Sequence, residues 1–230
     1  MNNKNLKHAA VLYSVLSALF VAALVTTNLI ANKFVQVDLG FHVFEISAGV
    51  LPYPLTFLIT DILSEIYGQK KTQRVVFAGF FSALLVLGIL WLAHVFPAIE
   101  SSPVSDSEYK TVFKSSGRVI FSSMIAYLAA QFVDVRLFHF WKRLTNGKHL
   151  WIRNNFSTVL SQLTDTTLVV SVLFWGKMGY AEMGILILNG WVFKVLVAFV
   201  DTPFLYAAVF GIKKYFGLKA NEEIRDEGAF

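Results

Sequence analysis

The chain has 230 residues, of which 56% are hydrophobic and only 15% are charged, and it contains no cysteine. A soluble domain carries about 25% charged residues, so the composition excludes an ordinary water-soluble domain, and the missing cysteines exclude disulfides, thiolate metal sites and cysteine nucleophiles. The net charge of +5 would suit nucleic acid, but the basic residues cluster between apolar runs, so membrane topology explains them better and no nucleic-acid partner is expected.

Six apolar runs follow one another, each about as long as the roughly 20 residues that cross a bilayer as a helix. The first is too long for the apolar core of a cleaved signal peptide, about 7–15 residues. The sequence therefore predicts an all-α integral membrane protein with six transmembrane helices, which form one domain over 1–217, followed by a polar cytoplasmic tail, 218–230. The predicted spans are 9–31, 47–67, 75–96, 117–139, 154–176 and 183–212.

The second run begins irregularly. Pro52 and Pro54 lie near its start, and proline cannot continue the hydrogen-bond ladder of a helix, so this helix is expected to be interrupted at its outer end. The preceding segment, 35–46, has short apolar stretches on both sides of Gly40. It is expected to form either a short β-hairpin or a re-entrant piece packed against protein, because unpaired backbone is too costly in lipid.

Positive charges are distributed unequally between the two sets of helix ends. Thirteen Lys and Arg residues lie at one set and five at the other. Cytoplasmic loops carry the excess of Lys and Arg in membrane proteins. The sequence therefore predicts a multi-pass inner-membrane protein with both termini in the cytoplasm and the acidic loop 97–116 outside.

The charged residues within the predicted helices include Asp61, Asp134, Asp165, Lys194 and Asp201. A charge at the bilayer centre costs about 2.5–3.5 kcal/mol on insertion scales. These side chains are therefore expected to face the bundle interior, where they pair, hold protons or contact a ligand. Lys194 is expected to neutralise Asp61 or Asp165 on another helix, because Asp201 lies about 10 Å away along its own helix.

Two glutamines continue the same polar faces. Gln131 precedes Asp134 by three residues and Gln162 precedes Asp165 by three, which places each pair on one face of its helix. Such an echo is consistent with the weak internal repeats of pseudo-symmetric transporters, whose binding site lies between the repeats.

Other polar residues leave two interpretations open. Asn28 in the first helix and Glu65 near the inner end of the second could bind a ligand, or they could simply join helices, as polar groups do in membranes. The sequence has no H-E-x-x-H zinc motif, no P-loop and no nucleophile elbow. No metal, no cofactor and no enzyme activity are therefore expected.

Segments of five predicted helices resemble the queuosine precursor transporter family, the YhhQ-like proteins. In the order of that family's helices 1, 2, 4, 5 and 6, the similar segments are 28–33, 53–68 (YPLTFLITDILSEIYG), Arg118 with 122–135, 151–166 and 193–198. The resemblance extends from about residue 10 to residue 213. It implies a six-helix inner-membrane importer of the 7-deazaguanine bases preQ0 and preQ1, from which queuosine in tRNA is made.

The polar residues suit such a base. A carboxylate accepts two neighbouring donors side by side, as the guanine-like edge presents them, an amide or a cation donates to the ring carbonyl, and aromatic rings stack on the base. The predicted site lies between helices 2, 4, 5 and 6 and comprises Asn28, Phe57, Asp61, Tyr127, Gln131, Asp134, Gln162, Asp165 and Lys194. A proton or charge network is assigned to Glu65, Arg118 and Asp201.

Several alternatives stay open at the level of sequence. A buried carboxylate could carry a proton, while facilitated diffusion with metabolic trapping fits equally well. The chain could instead be a substrate-capture subunit that needs a separate ATPase partner, docked through the small residues Ala18 and Ala22. A homodimer is also open.

Overall fold

The computed structural model describes residues 3–31, 33–113, 117–176, 178–219 and 222–224, without the side chains of 3–4, 34, 117–122 and 173. The described chain is almost entirely helical, which confirms the predicted all-α class apart from one small hairpin. Its elements are α1 (Asn3–Leu29), β1 (Phe34–Asp38), β2 (Val43–Ser47), α2 (Tyr53–Tyr67), α3 (Gln69–Val95), α4 (Asp106–Phe113), α5 (Gly117–Leu144), α6 (Leu150–Phe174) and α7 (Tyr180–Phe216).

Among the described residues, four segments are long and apolar enough to cross a membrane, namely Asn5–Leu29, Ala48–Tyr67, Gln69–Val95 and Tyr180–Phe216. The segment that contains α2 is 67% buried inside the protein, against 22% for each of the other three, so α2 is the central helix. The helices α5 and α6 have 28 and 25 residues, which is long enough to cross. Both carry polar stripes and fall outside the group of four, so the count of six spans stays a prediction.

The predicted interruption of the second helix is confirmed. A 3-10 turn at Ala48–Val50 precedes Pro52, and α2 itself begins at Tyr53 with Pro54 in its first turn. Proline is tolerated there because the first N–H groups of a helix have no helical partner. Gly49 lets this turn pass against α1, since a Cβ at that position would lie 2.4 Å from the carbonyl oxygen of Thr27.

Of the two structures expected for 35–46, the hairpin is confirmed. Strands β1 and β2 pair antiparallel from Phe34 opposite Ser47 to Asp38 opposite Val43. Gly40 takes a positive φ of 80° in the turn between them, a conformation that glycine adopts without strain. The hairpin packs onto α7 through Phe44, whose ring centroid lies 5.2 Å from that of Phe193.

The loop 97–116, which is predicted to lie outside, contains a helix that the sequence analysis missed. Ser105 and Glu108 form a reciprocal cap at the start of α4, with the Ser105 N–H donating to Glu108 Oε2 at 2.8 Å and the Glu108 N–H donating to Ser105 Oγ at 3.3 Å. The Ser105 N–H and the Ser105 hydroxyl, which both donate to Glu108 Oε2, hold the pKa of Glu108 below its ordinary value. The S-x-x-E spacing is the known signature of such a cap and would have revealed the helix.

Several helices extend beyond their apolar runs at the end predicted to be cytoplasmic. The helix α3 begins six residues before its run, and α5 and α7 end five and four residues after theirs. The added turns are basic, and they carry Lys70, Lys71, Arg74, Lys142, Arg143, Lys213 and Lys214. Hydropathy therefore located the membrane-embedded parts of these helices but not their ends.

Part of the predicted tail is docked on the helices. Ile224 is only 2% exposed, and its N–H donates to the carbonyl oxygen of Ile66 at 2.7 Å. Glu223 forms an ion pair of 2.9 Å with Lys142 on α5. Residues 222–224 thus close the end of the bundle at which α2 finishes.

Candidate functional site

A narrow cavity lies between α2, α6 and α7. Its walls include Phe57 and its polar lining is Asp61, Asn154, Thr158, Gln162, Lys194 and Asp201. The free space amounts to about 10 Å³, which is room for roughly one water molecule. The structure therefore shows a closed site, and any larger ligand enters only after the helices separate.

Helical spacing explains why these side chains converge. Phe57 and Asp61 are four residues apart on α2, and Asn154, Thr158 and Gln162 follow at steps of four on α6. Residues at this spacing lie above one another on one face of a helix. Each helix therefore turns one continuous stripe toward the cavity.

Lys194 forms an ion pair with Asp165, one of the two partners considered from sequence. Its Nζ lies 2.5 Å from Asp165 Oδ2 and 3.2 Å from Thr166 Oγ1. The Tyr53 hydroxyl donates to the other carboxylate oxygen of Asp165 at 3.0 Å. The charge of Lys194 on the cavity wall is thus already neutralised, and the three side chains join α2, α6 and α7.

Asp61 meets a second carboxyl group rather than a cation. Asp61 and Asp134 are 1% and 0% exposed, and their carboxyl groups lie close enough to interact with each other. Ser161 Oγ donates to Asp134 Oδ1 at 2.9 Å. Two like charges this close repel each other, and a proton shared between the two carboxyl groups would relieve the repulsion.

Several buried polar atoms near the cavity have no hydrogen-bond partner among the described residues. They are Asp61 Oδ1, Asp134 Oδ2, Gln162 Oε1 and both amide atoms of Gln131. Buried polar side chains are paired in most proteins, so unpaired ones mark positions where a ligand or water completes the structure. Asp61 and Gln162 line the cavity itself.

The structure brings only some of the predicted site residues to the cavity. Phe57, Asp61, Gln162 and Lys194 line it, and Asp201, which was assigned to a charge network, lines it too. Asp134 and Asp165 stand behind the wall, where Asp134 contacts Asp61 and Asp165 contacts Lys194.

Three other predicted residues lie away from the lining. Asn28 is exposed, and its Nδ2 donates to the carbonyl oxygen of Leu24 in its own helix at 3.1 Å. The ring of Tyr127 packs beside that of Phe20 at 6.4 Å, and Gln131 is buried on α5. The side chain of Arg118 lies outside the described residues.

Sequence reasoning missed two lining residues. Asn154 and Thr158 face the cavity together with Gln162, but neither was among the predicted site residues. The signal was present, because the three residues are separated by four positions each. When polar residues on one helix face lead to a candidate binding residue, all of them should be considered candidates for the same site.

Glu65 lies in a separate ion-pair cluster at the basic end of the bundle. This carboxylate is fully buried and contacts Arg153 at 2.7 Å, Lys142 at 3.4 Å and Lys213. One side chain of α2 thereby holds α5, α6 and α7. The three cations were counted only as topology signals in the sequence, which cannot show that they converge on one carboxylate.

Comparison with known proteins supplies a family. Residues 47–208 match the family model Vut_1, described as "Putative vitamin uptake transporter", and this segment contains every lining residue of the cavity. The chain is 30% identical to the "Probable queuosine precursor transporter" of Bacillus subtilis over 75% of this chain and 76% of that protein.

A second relative has a similar extent. The chain is 26% identical to the "Queuosine precursor transporter" of Escherichia coli over 74% of this chain and 75% of that protein. A Haemophilus influenzae relative named "Probable queuosine precursor transporter" is 27% identical over 63% of this chain and 62% of its own length. The relatives are named as transporters, not as enzymes. No solved structure matches the chain.

Proposed function

The chain belongs to the queuosine precursor transporter family, and from that premise we propose that it imports the 7-deazaguanine bases preQ0 and preQ1 across the inner membrane. The names of the relatives support a queuosine precursor as the transported compound. The observation that carries the proposal is the cavity between α2, α6 and α7, where a buried carboxylate and a buried amide lack partners.

The lining suits a guanine-like base. Asp61 accepts the ring N–H and the exocyclic amine side by side, in strong charge-assisted hydrogen bonds. Lys194 and the amide NH₂ of Gln162 donate to the ring carbonyl, which needs a donor. Phe57 stacks on the face of the base, where an aromatic ring gains contact area at little cost in conformational entropy.

The transporter has six membrane-spanning helices in this proposal, with α5 and α6 as the two less apolar spans. Their polar faces turn toward the interior, where Gln131, Asp134 and Gln162 are buried. Both termini are cytoplasmic, as the excess of Lys and Arg at that end favours. The Glu65 cluster then lies at the cytoplasmic end of the closed cavity.

Proton coupling is favoured over facilitated diffusion by the contact between Asp61 and Asp134. A base that donates two hydrogen bonds to Asp61 stabilises the charged form of this carboxylate. Binding therefore changes where the shared proton resides, which links base binding to proton movement. Facilitated diffusion would leave no role for a shared proton.

The capture-subunit alternative keeps one supporting observation. Ala18 and Ala22 on α1 are exposed. Their face of small residues is therefore accessible to a scaffold helix of a partner protein. A capture subunit would bind the base without moving it. Transport by the purified chain alone separates the two functions.

A binding measurement tests the proposed site. In purified protein, Asp61→Asn is expected to weaken preQ1 binding at least tenfold, because an amide cannot accept both donors of the base. Glu182→Gln on the same protein removes an exposed carboxylate at the start of α7 and is the matched control. Equal preQ1 affinity for the Asp61→Asn variant and the wild type would contradict the assignment of Asp61 to the binding site.

A further inference from the structure

Asp201 introduces a negative charge at the cavity that no side chain of the described residues offsets. It lies on the cavity wall and is partly buried. Among the described residues, no cation forms an ion pair with it. Its carboxylate is close enough to Asp61 for the two groups to repel each other electrostatically. A carboxylate placed this way favours a cation in the cavity.

The nearby cations are already committed to other carboxylates. Lys194 on the cavity wall is 2.5 Å from Asp165, and Arg153, next to the lining residue Asn154, is 2.7 Å from Glu65. Asp61 and Asp134 retain one negative charge between them when they share a proton. Asp61 and Asp201 are therefore lining carboxylates without an ion pair among the described residues, and an unpaired carboxylate is costly inside a membrane.

Two unpaired hydrogen-bond acceptors also favour a cationic ligand in the cavity. Asp61 Oδ1 and Gln162 Oε1 have no hydrogen-bond partner among the described residues, both side chains are at least 98% buried, and both line the cavity. Together with Asp201, they make the lining rich in acceptors. A ligand that brings donors and a positive charge satisfies all three groups at once.

We propose that Asp201 determines specificity in this site, and that the site prefers a 7-deazaguanine whose 7-substituent is a protonated amine over one whose 7-substituent is a neutral nitrile. The assignment rests on the proposed function and answers which base is preferred. Asp61 binds the guanine-like edge, and Asp201 binds the ammonium group. The preferred cargo is thus preQ1, and preQ0 is the poorer one.

The chemistry of the two substituents explains the preference. A primary ammonium has three donors and a full charge, and its hydrogen bond to a carboxylate is charge-assisted. The nitrile nitrogen only accepts, so it faces Asp201 without a donor between them. One charge-assisted hydrogen bond amounts to about a tenfold difference in affinity or more.

Competition for uptake measures this preference directly. Proteoliposomes that contain only this protein take up labelled preQ1, and unlabelled preQ1 or preQ0 is added at increasing concentration. The wild type is expected to need about ten times more preQ0 than preQ1 for half inhibition. In a second experiment, labelled preQ0 is supplied alone, so that each base is tested as a cargo in its own right.

Three variants test the role of Asp201. Asp201→Asn is expected to raise the half-inhibiting concentration of preQ1 about tenfold and that of preQ0 less than about twofold, whereas Asp201→Glu restores much of the preference. Glu182→Gln, which removes a charge from the exposed start of the same helix, leaves both values unchanged. Direct binding of the two bases in detergent gives the same ratio if a variant inserts poorly.

The outcomes distinguish this inference from the proposed function. Equal competition by the two bases in the wild type, or an equal loss for both in Asp201→Asn, overturns the role of Asp201 and leaves the proposed function standing. Failure of the wild type to bind or move either base overturns both. A tenfold preference that disappears in Asp201→Asn and returns in Asp201→Glu supports the inference.

Discussion

Buried carboxyl groups in this protein are stabilised in different ways by their neighbours. Asp165 has a single lysine and a tyrosine hydroxyl, and Asp61 has another carboxyl group. Glu65 has three cations. Since removal of one partner of a buried ion pair leaves an uncompensated charge, each arrangement gives a different response to mutation.

The pair of Asp165 and Lys194 supplies the clearest prediction about stability. Asp165→Asn is expected to destabilise the protein by about 3–5 kcal/mol, because it leaves a buried lysine without a counter-ion. The double variant Asp165→Asn/Lys194→Met is expected to recover most of that loss, since an apolar side chain needs no partner. Thermal unfolding in detergent measures both effects.

Uptake by the same variants separates stability from recognition. Lys194 is proposed to donate to the ring carbonyl of the base, so the double variant is expected to fold well and still transport poorly. A double variant that is no more stable than Asp165→Asn alone would contradict the ion-pair account. Normal uptake by the double variant would remove Lys194 from the binding site.

The sequence predicted the buried charges but not all of their partners. The cost of charge in lipid was sufficient to place Asp61, Asp165 and Lys194 in the interior. Helical spacing could not choose between Asp61 and Asp165 for Lys194, because that choice depends on how α6 and α7 are rotated against each other. The three cations around Glu65 required the same tertiary information.

At the scale of elements, the irregular, proline-containing start of the second apolar run is the start of the central helix α2. The irregular start of this helix was predicted from its prolines, and the hairpin was one of the two structures expected around Gly40, because proline fixes φ and glycine permits a positive φ whatever surrounds them. The ends of α3, α5 and α7 were not predicted, because hydropathy ends where charge begins while the helix continues into the basic interface.

Membrane crossing by α5 and α6 is the element-level prediction that most needs a test. The natural chain contains no cysteine, so single cysteines report position without background. Ser101→Cys, in the loop before α4, is expected to react with a membrane-impermeant maleimide in intact spheroplasts. Lys148→Cys, between α5 and α6, is expected to react only after permeabilisation, because positive-rich loops are cytoplasmic.

The unmodified chain is the control for this labelling. Reaction of Lys148→Cys in intact spheroplasts would mean that the α5–α6 connection is outside and would contradict the predicted topology. Reaction of both variants only after permeabilisation would place both loops on the cytoplasmic side. The first of these results would also move the Glu65 cluster, which lies beside the α5–α6 loop, to the outer side of the membrane.

At the scale of the whole molecule, the polar interior and the closed cavity belong to one account. A chain with 15% charged residues positions several of them where lipid cannot solvate them, which is the usual signature of a transport pathway. The free space of about 10 Å³ is far too small for a base. The helices around the cavity must therefore separate to admit one.

Some features of the whole molecule were predicted more completely than others. The membrane class follows directly from composition, and the six apolar runs correspond to the six long helices of the structure. By length and hydropathy, only four segments among the described residues qualify as spans, because α5 and α6 carry the polar residues of the interior. The features that make these two helices functionally interesting are the ones that weaken their membrane signal.

The most direct test is uptake of labelled preQ1 into proteoliposomes that contain only this protein, with and without an inward proton gradient. The account predicts saturable uptake without any ATPase, faster with the gradient, and reduced at least tenfold in Asp61→Asn at limiting preQ1. Tight binding of preQ1 without uptake would point to the capture-subunit function instead. Absence of both binding and uptake would contradict the proposed function.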